Sequence, residues 1–268
     1  MVQMKIKEIL KDKIPSNLLQ YIPVAYDIIG NICILEIKPQ IKKYEKLIAN
    51  TILQQHKNIK TVFKKFGIHK GKHRIQKLKF LAGINTKETI HKENNVSIKL
   101  DVEKCYFSPR LNSERLRISK LIKKNESVLV MFSGVMPYGL VISKNSKAKE
   151  IYGIELNKIA HKYAKENIQL NKLFNIKLYQ GDIKKVLPKI NKKFNRIIMP
   201  LPKGSKTYLN LASKKLKPKG TIYLYLFSED SDFNKIIKDY SKKFKKVKLI
   251  KCGQYSPHVY RICLDLQI

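Results

Sequence analysis

Four short stretches in the second half of this chain combine residue types that could hold a nucleoside beside a reacting partner. Met131-Phe132-Ser133-Gly134-Val135-Met136-Pro137 reads as a tight strand-to-helix turn. Gly134 would let its backbone approach a ligand closely. A second strand ends at Ile154-Glu155, where a carboxylate can accept both hydroxyls of a ribose. A third ends at Gln180-Gly181-Asp182, which places another acid where it can receive an exocyclic amino group. The fourth, Met199-Pro200-Leu201-Pro202-Lys203-Gly204, is stiffened by its prolines and could hold a flat substrate or simply terminate a strand.

A cationic set accompanies them. The chain of 268 residues carries 56 Lys and Arg against 20 Asp and Glu, a formal net charge of +36. That balance excludes most ordinary metabolic enzymes and points to a polyanionic partner. Only Arg74, Arg110, Arg115, Arg117, Arg196 and Arg261 are arginines. The lysine background, with abundant Ile and Asn and no Trp, fits codon bias, so the arginines are the more informative cations. Four of them fall between positions 74 and 117. Between Val62 and Lys79, lysines alternate with Phe63, Phe66, Gly67 and Gly71, a composition suited to a phosphate backbone and stacked bases or to a plain solvated surface.

Elements must position these residues. From Ser127 onward, apolar runs at Val128–Phe132, Ile151–Glu155, Ile176–Tyr179, Arg196–Met199 and Thr221–Phe227 alternate with helical patterns, which predicts a parallel, doubly wound sheet. Val247–Cys252 and Val259–Leu266 are separated by a short loop and predict a closing antiparallel pair. Seven strands with such a pair form a class I, Rossmann-like methyltransferase sheet. The strand ends then make a pocket for S-adenosylmethionine, and a nicotinamide dinucleotide is disfavoured because GxGxxG is absent. The first hundred residues, with apolar runs at Asp27–Ile37 and Val96–Val102 around a helical Gln40–Gln55, predict a smaller α+β domain. The expected division is 1–100 for RNA binding and 101–268 for the α/β domain.

Cys33, Cys105, Cys252 and Cys263 form no CxxC pair and are read as buried thiols. The six histidines lack ligand spacing, so no metal is expected. With no long apolar run and no signal-peptide pattern at the start of the chain, a cytoplasmic protein is expected, and a monomer is the default.

Specific motifs extend this reading. Gly71-Lys72-His73-Arg74, Thr86–Asn94 (TKETIHKEN), Asp101–Arg115 (DVEKCYFSPRLNSER), Met131–Pro137, Glu155-Leu156-Asn157, Glu166–Asn171, the Leu201-Pro202-Lys203 loop and Tyr255-Ser256-Pro257 resemble the archaeal and eukaryotic tRNA guanosine-37 N1-methyltransferases, from about Ile22 onward. The chain differs from that family's usual pattern at Val130 (Asp), Met136 (Gly) and Pro200 (Asn). Pro-Leu-Pro in place of Asn-Leu-Pro resembles the archaeal subgroup linked to wyosine biosynthesis. Those enzymes can also methylate C7 of 4-demethylwyosine, and loss of a polar side chain at Pro200 would make room for a third ring. The extra amino-terminal domain of many members is expected to be missing.

The resemblance implies Glu114 as general base toward N1 and Arg74 as partner of O6. Arg115 would pair with Glu114 or touch RNA, and Pro200 would shape the base pocket. S-adenosylmethionine would be held by Arg110, Phe132, Gly134, Glu155, Asp182 and Pro202. Arg110 could equally serve a phosphate or Asp101. The implied partner is the anticodon loop of tRNA, above all phenylalanine tRNA. A paralogous aminocarboxypropyl transferase and a non-catalytic RNA-binding protein are the rival readings.

Overall fold

The computed structural model describes residues 6–70, 75–201 and 204–268. It divides into two compact units, residues 1–92 with 98–109, and residues 93–97 with 110–268.

The first unit begins with a short helix α1 (Ile6–Leu10) and a hairpin of β1 (Asp27–Ile29) and β2 (Ile32–Leu35). The apolar run from Asp27 to Ile37 is therefore broken by a turn. Gly30 sits at φ +57°, and a Cβ there would stand 2.2 Å from the Thr89 hydroxyl, so only glycine fits. A 3₁₀ turn over Pro39–Tyr44 leads into α2 (Glu45–Gln55), which buries Ile48, Ala49 and Ile52 on one face. Next, β3 (Thr61–Lys70) pairs parallel with β2 and antiparallel with β4 (Ile75–Gly83). The basic Val62–Lys79 segment thus lies mostly in two paired strands. Leu10, Ile14, Cys33, Leu35, Ile41, Ile52 and Val62 share the core of this unit. Lys64 reaches into it to pair with Glu45, which also meets Lys79 at 3.4 Å.

A separate hairpin follows, β5 (Glu88–Glu93) and β6 (Val96–Asp101). Its two-residue turn places Asn94 and Asn95 at φ +43° and +65°, the mirror-image turn that asparagine tolerates.

The second unit starts with α3 (Asn112–Leu121) and continues β7 (Ser127–Met131), α4 (Pro137–Asn145), β8 (Glu150–Glu155), α5 (Lys158–Leu170), β9 (Ile176–Gln180), α6 (Ile183–Val186), β10 (Phe194–Met199), α7 (Leu209–Lys214), β11 (Leu216–Glu229), α8 (Phe233–Ser241), β12 (Lys246–Ser256) and β13 (Val259–Gln267). The sheet order is β12-β13-β11-β10-β7-β8-β9. Strands β7 to β11 run parallel and β13 joins antiparallel to β11 and β12. This is a Rossmann-like sheet with the closing antiparallel pair that the sequence pattern implies. Every residue of β7 is buried, as a central parallel strand covered on both faces requires. The chain order reverses between β7 and β10, so the crevice at their carboxyl ends is where such a sheet takes a ligand.

Candidate active site

Beyond β7 the backbone enters the left-handed region three times, at Phe132 (φ +54°), Gly134 (φ +56°) and Met136 (φ +71°). Two of these are not glycine, and strain of this kind is characteristic of ligand-binding turns. Met136 keeps the conformation that a glycine would adopt freely. Its side chain is fully buried and lies against Gly139 of α4 and Gly153 of β8, where an added Cβ would come within 2.1 Å and 2.7 Å of it. The bulk of Met136 is thus turned into the core. Val130 is likewise wholly buried inside β7.

Glu155, at the end of β8, is fixed by that same turn. Gly134 N–H donates to its Oε2 at 2.6 Å and Asn157 N–H to its Oε1 at 2.7 Å. These two amides set the plane of the carboxylate, a group able to accept from a vicinal diol. Asn157 in turn caps α5, accepting from Ile159 N–H at 2.9 Å. At the third strand end, Gly181 N–H donates to the Glu155 carbonyl at 2.8 Å, and Asp182 Oδ1 accepts Lys184 N–H at 2.8 Å. Asp182 remains half-exposed. Phe132 meets Tyr208 edge-on at 5.0 Å, and the Lys184 ammonium lies 5.4 Å from the Tyr208 ring centre. Tyr208 was not singled out from sequence, because it lies in a 3₁₀ turn with no pattern of its own. Phe132, Gly134, Glu155 and Asp182 thus gather around one set of strand ends whose donors and acceptors fit the nucleoside part of S-adenosylmethionine.

Glu114 occupies the first turn of α3 and is only 5% exposed. Arg117, three residues on, grips it with Nε to Oε2 at 2.7 Å and Nη2 to Oε1 at 2.8 Å. The same guanidinium binds Asp265 of β13 at 2.8 Å and 3.0 Å. Tyr225 of β11 donates its hydroxyl to Glu114 Oε1 at 2.6 Å. Two carboxylates therefore share one guanidinium, leaving the cluster one negative charge in excess. Burial would lower the Arg117 pKa, but its bonds to Glu114 and Asp265 outweigh that and push it up. Burial pushes the Tyr225 phenol well up, so it stays a donor. The Cys252 thiol, bonded to the Ile250 carbonyl at 3.4 Å, is raised by burial and by the charge of Glu114. Arg117, Tyr225 and Asp265 complete a cluster of which only Glu114 had been assigned a role. The i, i+3 spacing of Glu114 and Arg117 was the available signal.

Arg115 points elsewhere. It is 1% exposed and its Nε and Nη2 both bind Glu93 at 2.5 Å. The expected pairing with Glu114, or with RNA, is replaced by a sealed ion pair, because consecutive helical positions face apart. Arg110 is exposed in the 3₁₀ turn Pro109–Leu111. Pro200 follows β10 in a tight turn closed by Leu201 N–H to the Met199 carbonyl at 2.9 Å. Arg74 and Pro202 lie outside the described residues. Cys33, Cys105 and Cys263 are buried free thiols, and Cys252 is half-buried.

Residues 89–251 match the profile of the TRM5/TYW2 methyltransferase domain, and residues 6–86 that of the TYW2 N-terminal domain. The chain is 38% identical to the tRNA (guanine(37)-N(1))-methyltransferase Trm5b of Pyrococcus abyssi over 95% of its own length and 78% of the relative's. It is 31% identical to the tRNA (guanine(37)-N(1))/4-demethylwyosine(37)-methyltransferase Taw22 of Nanoarchaeum equitans, over 91% of this chain and all of that one. It is also 31% identical to the tRNA(Phe) (4-demethylwyosine(37)-C(7)) aminocarboxypropyltransferase of Pyrococcus horikoshii, over 100% and 97%. Among solved structures, aTrm5 in complex with tRNALeu superposes with a TM-score of 0.87 at 33% identity, covering 100% of this chain and 79% of that one. Methanocaldococcus jannaschii TYW2 in complex with AdoMet superposes at 0.66 and 25%, covering 91% and 98%.

Proposed function

Because the chain belongs to the TRM5/TYW2 methyltransferase family, we propose that it methylates position 37 of tRNA, at N1 of guanosine and at C7 of 4-demethylwyosine in phenylalanine tRNA. Its cofactor is S-adenosylmethionine, which when bound supplies a methyl group made electrophilic by the adjacent sulfonium. The observation that carries the reading is the buried Glu114 carboxylate, fixed by Arg117 and Tyr225 on the sheet whose strand ends hold Glu155 and Asp182.

Guanine N1 carries a proton at neutral pH, so it becomes nucleophilic only as that proton leaves. Glu114 takes it. A carboxylate has about four acceptor sites, and here Arg117 fills two and Tyr225 one. The incoming N1–H takes a remaining one. Arg117 and Tyr225 hold the carboxylate still meanwhile. Glu155 accepts the ribose hydroxyls and Asp182 the adenine amino group. The family resemblance would assign the methionine carboxylate to Arg110, the nucleoside to Phe132 and Pro202, and O6 to Arg74. Arg115 acts by anchoring α3 through Glu93, which places Glu114 one position away. The first unit binds the RNA.

Pro200 supports the second substrate. A rigid apolar turn at the end of β10 presents no side-chain donor to distinguish guanine from a tricycle. The similarity to Taw22 supports dual specificity, whereas the equal identity to the aminocarboxypropyl transferase keeps transfer of that larger group as the rival outcome. Nucleoside mass spectrometry on two tRNAs, bearing guanosine or 4-demethylwyosine at position 37, tests all three. Methyl on both products is expected. Methyl on guanosine alone would remove the C7 assignment, and a product heavier by an aminocarboxypropyl group would replace methyl transfer altogether.

A further inference from the structure

On the sheet face that carries Tyr225, the next outward residue of β11 is Phe227, which is half-buried. Its ring lies 4.6 Å from that of Tyr255, tilted by 45°. The Arg261 guanidinium sits 5.2 Å from the centre of the Phe227 ring, and Arg261 is the ladder partner of both Phe227 and Gly253. Tyr255 is 63% exposed. Gly253 has nothing within 4 Å of where a Cβ would stand, so the floor beside Arg261 is open. Two aromatic rings and a planar cation thus form a platform at the carboxyl edge of the sheet, beyond Glu114 and on its side.

With Tyr255 this exposed, the group is not core packing. Its members share a preference for flat π-systems: Tyr and Phe stack on bases, and guanidinium stacks on bases while drawing phosphate. In a chain of net charge +36, the complementary partner is RNA. Distance selects which base. Strand residues rise about 3.3 Å each, so Phe227 lies about 7 Å beyond Tyr225, roughly one nucleotide step. A base on the platform would lie beside the base that reaches Glu114.

We propose that Phe227, Tyr255 and Arg261 form a stacking seat for an unpaired base flanking the target nucleotide, splaying the strand so that the target enters alone. This rests on the tRNA methyltransferase reading and adds a substrate-positioning subsite to it. The test uses the full chain and two anticodon stem-loop RNAs, with 2-aminopurine 5′ or 3′ of the target. Wild-type protein should quench one of the two. Tyr255→Ala should abolish that quenching and weaken RNA binding between about fivefold and a hundredfold, the worth of one base–aromatic stack. Tyr255→Phe should preserve both, and S-adenosylmethionine affinity should be unchanged in either variant. Full quenching and unaltered RNA affinity in Tyr255→Ala would overturn the seat, as would the absence of quenching by wild type in both RNAs. If wild type quenches but transfers no methyl group, the functional reading fails while the seat stands.

Discussion

At Glu114, charge and geometry can be separated by substitution. Glu114→Gln keeps the shape but cannot accept a proton, so single-turnover N1 methylation should fall by about 10²- to 10⁴-fold, with S-adenosylmethionine affinity in calorimetry unchanged. Cys252→Ala should leave that rate within about threefold, since the thiol bonds to the Ile250 carbonyl at 3.4 Å and losing so weak a donor costs little. A larger drop would show that the thiol orients the carboxylate. Part of this cluster was legible in sequence. Glu114 came from the resemblance, whereas Arg117 was missed although its i, i+3 spacing was there to read; Tyr225 lies 111 positions from Glu114 and Asp265 148 from Arg117, and only the sheet's register brings them in. Arg115 misled because adjacency in sequence is separation on a helix. Glu155 was legible in position, but not in the two amides that fix it.

At the scale of elements, the turn after β7 sets a left-handed backbone against a buried methionine. Met136→Gly would relieve about 1 kcal/mol of backbone strain yet remove a buried side chain worth about 2–5 kcal/mol. Urea unfolding should therefore show net destabilisation of about 1–4 kcal/mol. Adding Gly139→Ala should recover part of it, because the new methyl occupies space that the Met136 side chain now fills. If the double variant is no more stable than Met136→Gly, packing is not what keeps methionine there. The seven strands of this sheet were readable because apolar runs alternate with helical periods and each run is long. The β1–β2 hairpin was not, because its two arms read as one apolar run and the need for Gly30 comes from Thr89 and Ile90, some sixty residues away in the chain.

For the whole molecule, the charge excess governs both partner and stability. tRNA affinity should fall steeply and linearly on a log–log plot against salt, and a flat response in a binding titration would remove the basic surface from the interface. The few acids matter correspondingly. In Glu45, Glu103 and Glu150, burial acts to raise the carboxyl pKa but lysine hydrogen bonds and charges outweigh it, so each is held below its ordinary value. The unfolded chain thus takes up protons first, and the stability these groups contribute is complete above the ordinary glutamate value of about 4.3 and is lost as pH falls through the lower folded values. The urea midpoint should drop between pH 5 and pH 3, and a constant midpoint would refute the assignment. One further consequence lies in the β5–β6 hairpin, whose tip, residues 93–97, groups with the second unit while its arms group with the first. That tip is tied down by Ser97 and Asn171, which bond at 2.8 Å and 2.7 Å, and it supplies the carboxylate that neutralises Arg115. A recombination event that exchanged everything before residue 98 for a foreign module without a glutamate at this tip would take away the carboxylate that this buried guanidinium binds, at a cost of about 3–5 kcal/mol. A boundary drawn at residue 98 therefore cuts through an ion pair of the second unit, and an exchange that spares the pair must be made amino-terminal to β5.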